Sequence, residues 1–285
     1  MKKKMYPFKI GAMLDSFKLD TKSAIKKAAS LGVSGLQMYS TTGENSPENL
    51  VGEKRRELLS FMKDNGLIFS AICGDLGQGF GNAEKNPALI EKSKRIMDLA
   101  LDLECNIVTT HIGVVPQDPK HDRYKIMQEA CFELSRYADE VGAHFAIETG
   151  QEPAKTLKGF LDSLNSKGVA VNLDPANLVM VVKDDPVAAV HTLKDYIVHT
   201  HAKVGNNLSD CNPEVIYGVI DHDTIAYSTP FEEVPLGEGG VDFPSYLKAL
   251  DEIGYKGFLT IERECGDNPA ADIEKAAVFL KNLIK

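Results

Sequence analysis

The run His144-Phe145-Ala146-Ile147-Glu148-Thr149 is apolar and strand-forming until its end, where it meets a carboxylate. An unpaired carboxylate is expensive to bury, so a core strand does not ordinarily finish on one. Three more runs share the pattern: residues 169–174 close on Asp174, residues 197–201 on His201 and residues 257–262 on Glu262. Four ionisable groups at four strand ends predict that the charges meet a common cation, a divalent metal held at one end of a barrel of parallel strands.

Outward from this run, strands are expected at residues 8–14, 35–40, 67–73, 106–111, 144–149, 169–174, 197–203 and 257–263. Helices are expected at 21–31, 47–65, 87–103, 124–141, 156–167, 186–196, 243–253 and 269–284. Leu89, Ile96, Leu99 and Leu103 show the helical spacing of one of them. Gly32, Gly66, Gly142, Gly168 and Gly254 supply stops. Strands that alternate with helices pair in parallel. Eight such units predict an α/β chain with a (β/α)8 TIM barrel, a single domain over residues 1–285. Residues 204–240 are too long for an ordinary connection and are expected to form a long active-site loop, or to be only partly ordered.

Side chains alternate along a strand, so one parity faces the barrel interior and the other faces the helices. Glu148 shares its parity with His144 and Ala146, against Phe145 and Ile147. Ala170, Asn172 and Asp174 oppose Val169, Val171 and Leu173; Phe258, Thr260 and Glu262 oppose Leu259 and Ile261. His199, His201 and Lys203 fall together on the seventh strand, Gln37 on the second, and Thr109 and His111 on the fourth. The greasy parity is expected against helices. The polar parity is expected inside, with its chemistry near the C-terminal strand ends, where barrel active sites are built.

A formal charge of −9 argues against an open nucleic-acid surface and against binding to an anionic membrane. No apolar run reaches the ~18 residues of a membrane span. The opening Met1-Lys2-Lys3-Lys4-Met5-Tyr6-Pro7 lacks the apolar stretch of a secretory signal. Five cysteines without a Cys-x-x-Cys pair read as reduced thiols of a cytoplasmic protein.

Glu148, Asp174, His201 and Glu262 form a mostly oxygen shell, which suits manganese, magnesium or cobalt, and zinc less clearly; manganese is the expected ion. The plainer alternative pairs each acid with Lys203, Arg263 or a backbone amide. His199 lies about 6.6 Å down the strand from His201 and reads as a buried supporting histidine. His111 either contacts substrate or makes a structural hydrogen bond. Lys203 either reaches a substrate oxygen or neutralises the acids. Glu152, four residues past Glu148, either hydrogen-bonds a polyol or is a solvated loop acid. Glycines in Gly237-Glu238-Gly239-Gly240 let backbone approach a ligand, which adds Glu238 to the substrate-facing candidates with Gln37. That run is no phosphate fingerprint, because it does not follow a strand in the required βαβ unit. Cys73 is placed to line the pocket; His121, His191 and His222 read as surface or loop residues.

Ile147-Glu148-Thr149-Gly150-Gln151-Glu152, Asn172-Leu173-Asp174-Pro175-Ala176-Asn177, His199-Thr200-His201-Ala202-Lys203, Pro235-Leu236-Gly237-Glu238-Gly239-Gly240-Val241-Asp242-Phe243 and Thr260-Ile261-Glu262-Arg263-Glu264 resemble the sugar phosphate isomerase/epimerase family. These are xylose isomerase-like barrels related to tagatose and psicose 3-epimerases and inosose dehydratases. The resemblance covers essentially the whole chain and places the family's metal ligands on Glu148, Asp174, His201 and Glu262. It implies that Glu148 and Glu262 are the catalytic pair, one taking a proton from the carbon beside a carbonyl and the other returning it to the opposite face through a cis-enediolate. The implied substrate is a small sugar, and barrels of this kind often pair into homo-oligomers. Asn177 stands where the 3-epimerases carry a substrate-binding histidine, and Lys203-Val204-Gly205-Asn206-Asn207 lacks their arginine. Both departures leave room for a modified sugar, a keto-glycoside or a cyclitol.

Isomerase or epimerase is therefore the leading expectation. A lyase or dehydratase on the same metal site is the alternative, separated by loss of water or aglycone. A nuclease like endonuclease IV would need many more histidines than the seven present, and a basic face. Four complete ligands speak against a non-catalytic sugar-binding barrel.

Overall fold

The apolar runs pair in chain order. In the computed structural model, which describes residues 5–220 and 230–285, β1 (Lys9–Met13), β2 (Gly35–Tyr39), β3 (Ile68–Cys73), β4 (Ile107–Thr110), β5 (His144–Glu148), β6 (Val169–Leu173) and β7 (Ile197–Ala202) lie side by side. β8 (Val204–Asn207) and β9 (Phe231–Val234) leave this sheet, and β10 (Phe258–Ile261) inserts between β7 and β1 to close an eight-stranded parallel barrel. The helices are α1 (Thr21–Ser30), α2 (Glu53–Asp64), α3 (Asn86–Asp102), α4 (Asp122–Val141), α5 (Ala154–Leu164), α6 (Pro175–Asn177), α7 (Pro186–Thr192), α8 (Pro213–Ile216), α9 (Phe243–Glu252) and α10 (Pro269–Ile284). The architecture is the (β/α)8 barrel expected from the alternation.

Local chemistry sets the element ends. The Asp20 carboxylate accepts the Ser23 N–H at 3.0 Å and caps α1. α2 begins later than its sequence pattern suggests, because Gly52 takes a left-handed φ of 54° immediately before it. The greasy parity packs outward as expected: Phe145, Ile147, Val171, Leu173, Leu259 and Ile261 are buried in one core with Leu157, Leu161, Leu247 and Leu250 of the helices. At the N-terminal end of the barrel the Phe258 ring crosses β1 to reach β2. A methyl group on Gly35 would lie 2.4 Å from that ring, so glycine is what admits it. Lys9 lays its ammonium over the same ring, 5.4 Å from the centroid.

Of the stretch expected as a long loop, residues 204–220 and 230–240 are described, and they hold regular structure that the sequence pattern does not announce; residues 221–229 lie outside the described residues. β8 and β9 form an antiparallel ribbon in which Val204 pairs with Val234 and Asn207 with Phe231. Arg263, just past β10, anchors the ribbon to the barrel: it donates to Glu233 at 2.7 Å and to Asp272 of α10 at 3.0 Å. Arg123 of α4 is paired with Glu214 of α8. His121 caps α4 and His191 is surface-exposed, as expected, while His222 lies outside the described residues. No described helix is long and apolar enough to cross a membrane. All five cysteines are unpaired.

Candidate metal centre and its cavity

Parity brings Glu148, Asp174, His201 and Glu262 together. One ligand atom from each lies within 4.8 Å of all the others, and all four residues are buried. That span fits donors around one divalent ion with bonds of about 2.0–2.4 Å. His201 supplies the centre: its Nδ1 is 3.1 Å from Asp174 Oδ2, 3.3 Å from Glu262 Oε2 and 3.6 Å from Glu148 Oε1. Three buried carboxylates gathered on one imidazole nitrogen concentrate negative charge at a point, which suits a cation.

The ring is held in that direction from behind. His201 Nε2–H donates to Gln37 Oε1 at 3.0 Å, and the Gln37 amide donates to Thr109 at 3.0 Å. Gln37, expected to face substrate, does line the cavity; both ends of its amide are also committed, and its bond to His201 favours the tautomer that turns Nδ1 toward the acids. Asn172 donates to Glu148 Oε2 at 3.0 Å and accepts the His199 Nδ1–H at 2.9 Å. Thr260 donates to His199 Nε2 at 2.8 Å. Burial, helped by the nearby His201, holds His199 far below the usual imidazole range, so it is a neutral supporting residue.

Asp174 caps α6 by accepting the Asn177 N–H at 2.9 Å, and Asn177 Nδ2 donates to Glu148 Oε1 at 3.2 Å. This contact needs the backbone of Gly150, at φ 110°, to pass so close that a methyl group there would lie 2.2 Å from Asn177 Cβ. Lys203 donates to Glu262 at 2.9 Å and also to Glu264, so its ammonium is shared among acids. Burial alone would raise both Glu148 and Glu262. For Glu148 the charges of His111 and His201 prevail and hold it well below the usual carboxylate range. For Glu262 burial and the charges of Glu148 and Glu264 outweigh His201 and Lys203, and it is pushed up.

The cluster forms the floor of a cavity of about 590 Å³ at the C-terminal end of the strands. His111, Asn177, Lys203 and Cys73 all line it. His111 Nδ1 is 2.9 Å from Asp75 Oδ2, its Nε2 is 3.6 Å from Glu148, and its ring packs on Tyr217 at 5.6 Å. Burial works against its protonation, but the charge of Glu148 and the bond to Asp75 win and raise it to about 9. Glu152 and Glu238 depart from expectation. Glu152 does not line the cavity: it is 3% exposed and turns inward to accept the Val115 N–H at 2.9 Å. Desolvation pushes its carboxyl up to about 8. Glu238 points to solvent on a turn whose Gly237 abuts Phe279 of α10. The acids that do reach the cavity from the ribbon are Glu232 and Glu233. Asp75 was not singled out from the sequence; its one signal is the inner parity it shares with Cys73, continued past the strand end.

A family profile described as a xylose isomerase-like TIM barrel matches residues 25–283. An uncharacterized protein of Methanocaldococcus jannaschii is 24% identical over 204 residues, which span 70% of this chain and 64% of that protein. A Haemophilus influenzae protein named for L-ribulose-5-phosphate 3-epimerase is 22% identical over 252 residues, or 81% of this chain and 79% of that one. Among solved structures, a xylose isomerase domain protein from Planctomyces limnophilus superposes with a TM-score of 0.77 at 25% identity, over 99% of this chain and 97% of that one. The Bacillus anthracis protein AsbF, named as a 3-DHS dehydratase, gives a TM-score of 0.72 at 19% identity, over 96% and 99% of the two chains, a likeness of fold.

Proposed function

Because the chain belongs to the xylose isomerase-like TIM barrel family, we propose that it is a divalent-metal-dependent isomerase or epimerase acting on a keto-sugar or a related polyol. The observation that carries this reading is the placement of Glu148 and Glu262. They stand at the ends of β5 and β10 with β6 and β7 between them, and both turn a carboxylate oxygen toward His201 Nδ1. Glu148, Asp174, His201 and Glu262 would hold the ion, manganese by the character of the donors. When bound, the ion polarises neighbouring substrate oxygens and lowers the cost of negative charge on them.

The protein's own groups then divide the proton transfers. Glu148 is the base for the carbon beside the carbonyl. Glu262, across the cluster from it, returns a proton on the other side. Asn177 and Asn172 hold the Glu148 carboxylate in place from two directions. Lys203 and His111 face substrate oxygens, while Gln37 acts on His201 rather than on substrate. Leu208, Ile216, Tyr217 and Phe231 of the segment after β7 line the cavity, which supports a role for residues 204–240 in excluding water from the proton-depleted substrate.

Elimination is the second reading, favoured by one feature. His111, oriented by Asp75, has no hydrogen-bond partner at its buried Nε2 and adjoins Glu148, where it could protonate a departing hydroxyl. The test is incubation of manganese-loaded protein with ketoses, keto-glycosides and inososes in deuterated water. Solvent deuterium at one carbon with no loss of water supports isomerisation or epimerisation; loss of water or aglycone supports a lyase. Exchange with none of the panel, at confirmed metal occupancy, defeats both readings.

A further inference from the structure

The cavity has two chemically different ends. Its floor is the ligand cluster. Its outer wall is made by Met180, Val181, Leu208, Ile216, Tyr217 and Phe231. Five of these six, all but Leu208, belong to a small apolar cluster, with Ala176, Val182 and Cys211, that is separate from the main core. Leu208 is 57% exposed at the rim, a large apolar side chain left uncovered beside a binding cavity. A cavity of 590 Å³ is far larger than the space a single hexose fills, on the scale of pockets that hold drug-sized ligands.

Charge points the same way. Beyond the ligand set, Asp75, Glu232, Glu233 and Glu264 also line the cavity, and among the described residues its cationic side chains are Lys203 and His111. Lys203 is taken up by Glu262 and Glu264, and His111 by Asp75. Arg263, just past β10, is paired with Glu233 and Asp272. Of the cavity's described cations only the His111 Nε2–H lacks a hydrogen-bond partner, and a phosphate or carboxylate there would meet a surplus of acids even with a divalent ion on the floor.

Resting on the reading of the site as that of a sugar isomerase or epimerase, we infer that its substrate is an uncharged sugar bearing an apolar substituent, such as an aryl or alkyl glycoside. The sugar ring occupies the floor, and the substituent lies under Leu208, Ile216 and Phe231. Sugar phosphates and sugar acids are excluded.

Calorimetric titration of the manganese-loaded full chain tests this with five probes: the methyl and phenyl 3-keto-β-D-glucosides, the matching galactosides, and the methyl 3-keto-β-D-glucoside 6-phosphate. In at least one sugar series the phenyl compound is expected to bind roughly tenfold tighter than the methyl compound, as burial of an aromatic ring against apolar side chains implies. The phosphate is expected to bind at least as weakly as the weakest neutral probe. Phe231→Ser, with thermal melting and metal content checked, is expected to bring the phenyl-to-methyl ratio close to one. Equal affinities in wild-type protein, no binding of any neutral probe, or tighter binding of the phosphate overturns the inference. So does a change in oligomeric state on Phe231→Ser with the ratio intact, which would make the apolar wall a subunit interface. Solvent deuterium exchange on the same probes is read separately. Exchange without a phenyl preference sinks this inference and spares the proposed reaction, and a phenyl preference without exchange does the reverse.

Discussion

His201 Nε2 lies 3.0 Å from Gln37 Oε1, and that hydrogen bond decides which ring nitrogen faces the three carboxylates. Gln37→Leu removes the acceptor and leaves the imidazole free to choose the wrong tautomer. The expected result is a metal affinity lower by about 10- to 100-fold with the barrel still folded, measured by calorimetry alongside circular dichroism. An unchanged affinity would mean that the carboxylates alone orient the ring.

One divalent ion per chain is expected, and Glu148→Gln or His201→Ala should abolish its binding. Affinity should also depend on pH. Burial works against a proton on His201, but Glu262, Glu148 and Asp174 overcome it and hold that group well above the usual imidazole range without an ion. A raised imidazole contributes stability that is complete below its unfolded value and is lost as pH rises through its folded one. An ion must displace this proton, so its affinity falls as pH falls. The difference in Tm between metal-loaded and metal-free protein should therefore widen from pH 6 to pH 9; a constant gap would show that no proton is exchanged.

Glu152 carries the opposite sign from an ordinary ion-paired acid. Desolvation raises it to about 8, so the folded state prefers its neutral form. The cost is absent below the unfolded carboxylate range, and it grows as pH rises from there toward 8. Glu152→Gln keeps an oxygen for the Val115 N–H and removes the charge. It should stabilise the protein by roughly 2–4 kcal/mol at pH 8 and by much less at pH 5, read from denaturant melts. Equal effects at both pH values would show that the carboxyl is already solvated.

Gly150→Ala tests the close approach that positions Asn177. The added methyl must displace Asn177, and φ of 110° is strained for any other residue. A loss of about 2–4 kcal/mol in stability is expected, with turnover reduced more than metal affinity. A variant as stable and active as the parent would remove Asn177 from the account of Glu148.

The four clustered strand-end residues, Glu148, Asp174, His201 and Glu262, were legible because a barrel leaves little choice: groups of one parity at neighbouring strand ends must converge. Glu152 was not legible, since past the strand end alternation no longer dictates direction, and the chain there turns in beneath Val115. Of the glycines around Glu238, Gly237 packs on Phe279 while Gly239 and Gly240 press on β8 at Val204 and Gly205, so they serve a turn and its packing. The ribbon of β8 and β9 escaped notice because Val204 and Val234 are distant in sequence, and pairing so far apart leaves no local periodicity. Gln37 was found by parity, but parity reports only that a side chain points inward, not what it meets there.

The Phe258 ring, wedged against Gly35 and covered by Lys9, stoppers the barrel at the end remote from the ligand cluster. Among the described residues the mouth of the cavity lies beneath the ribbon, and traffic through it is expected to be two-way. Whatever is made must back out along the path by which the reactant came in, and a molecule awaiting departure bars the next arrival. Product inhibition in this enzyme should accordingly be competitive, and its turnover under load should be governed by how readily that doorway clears.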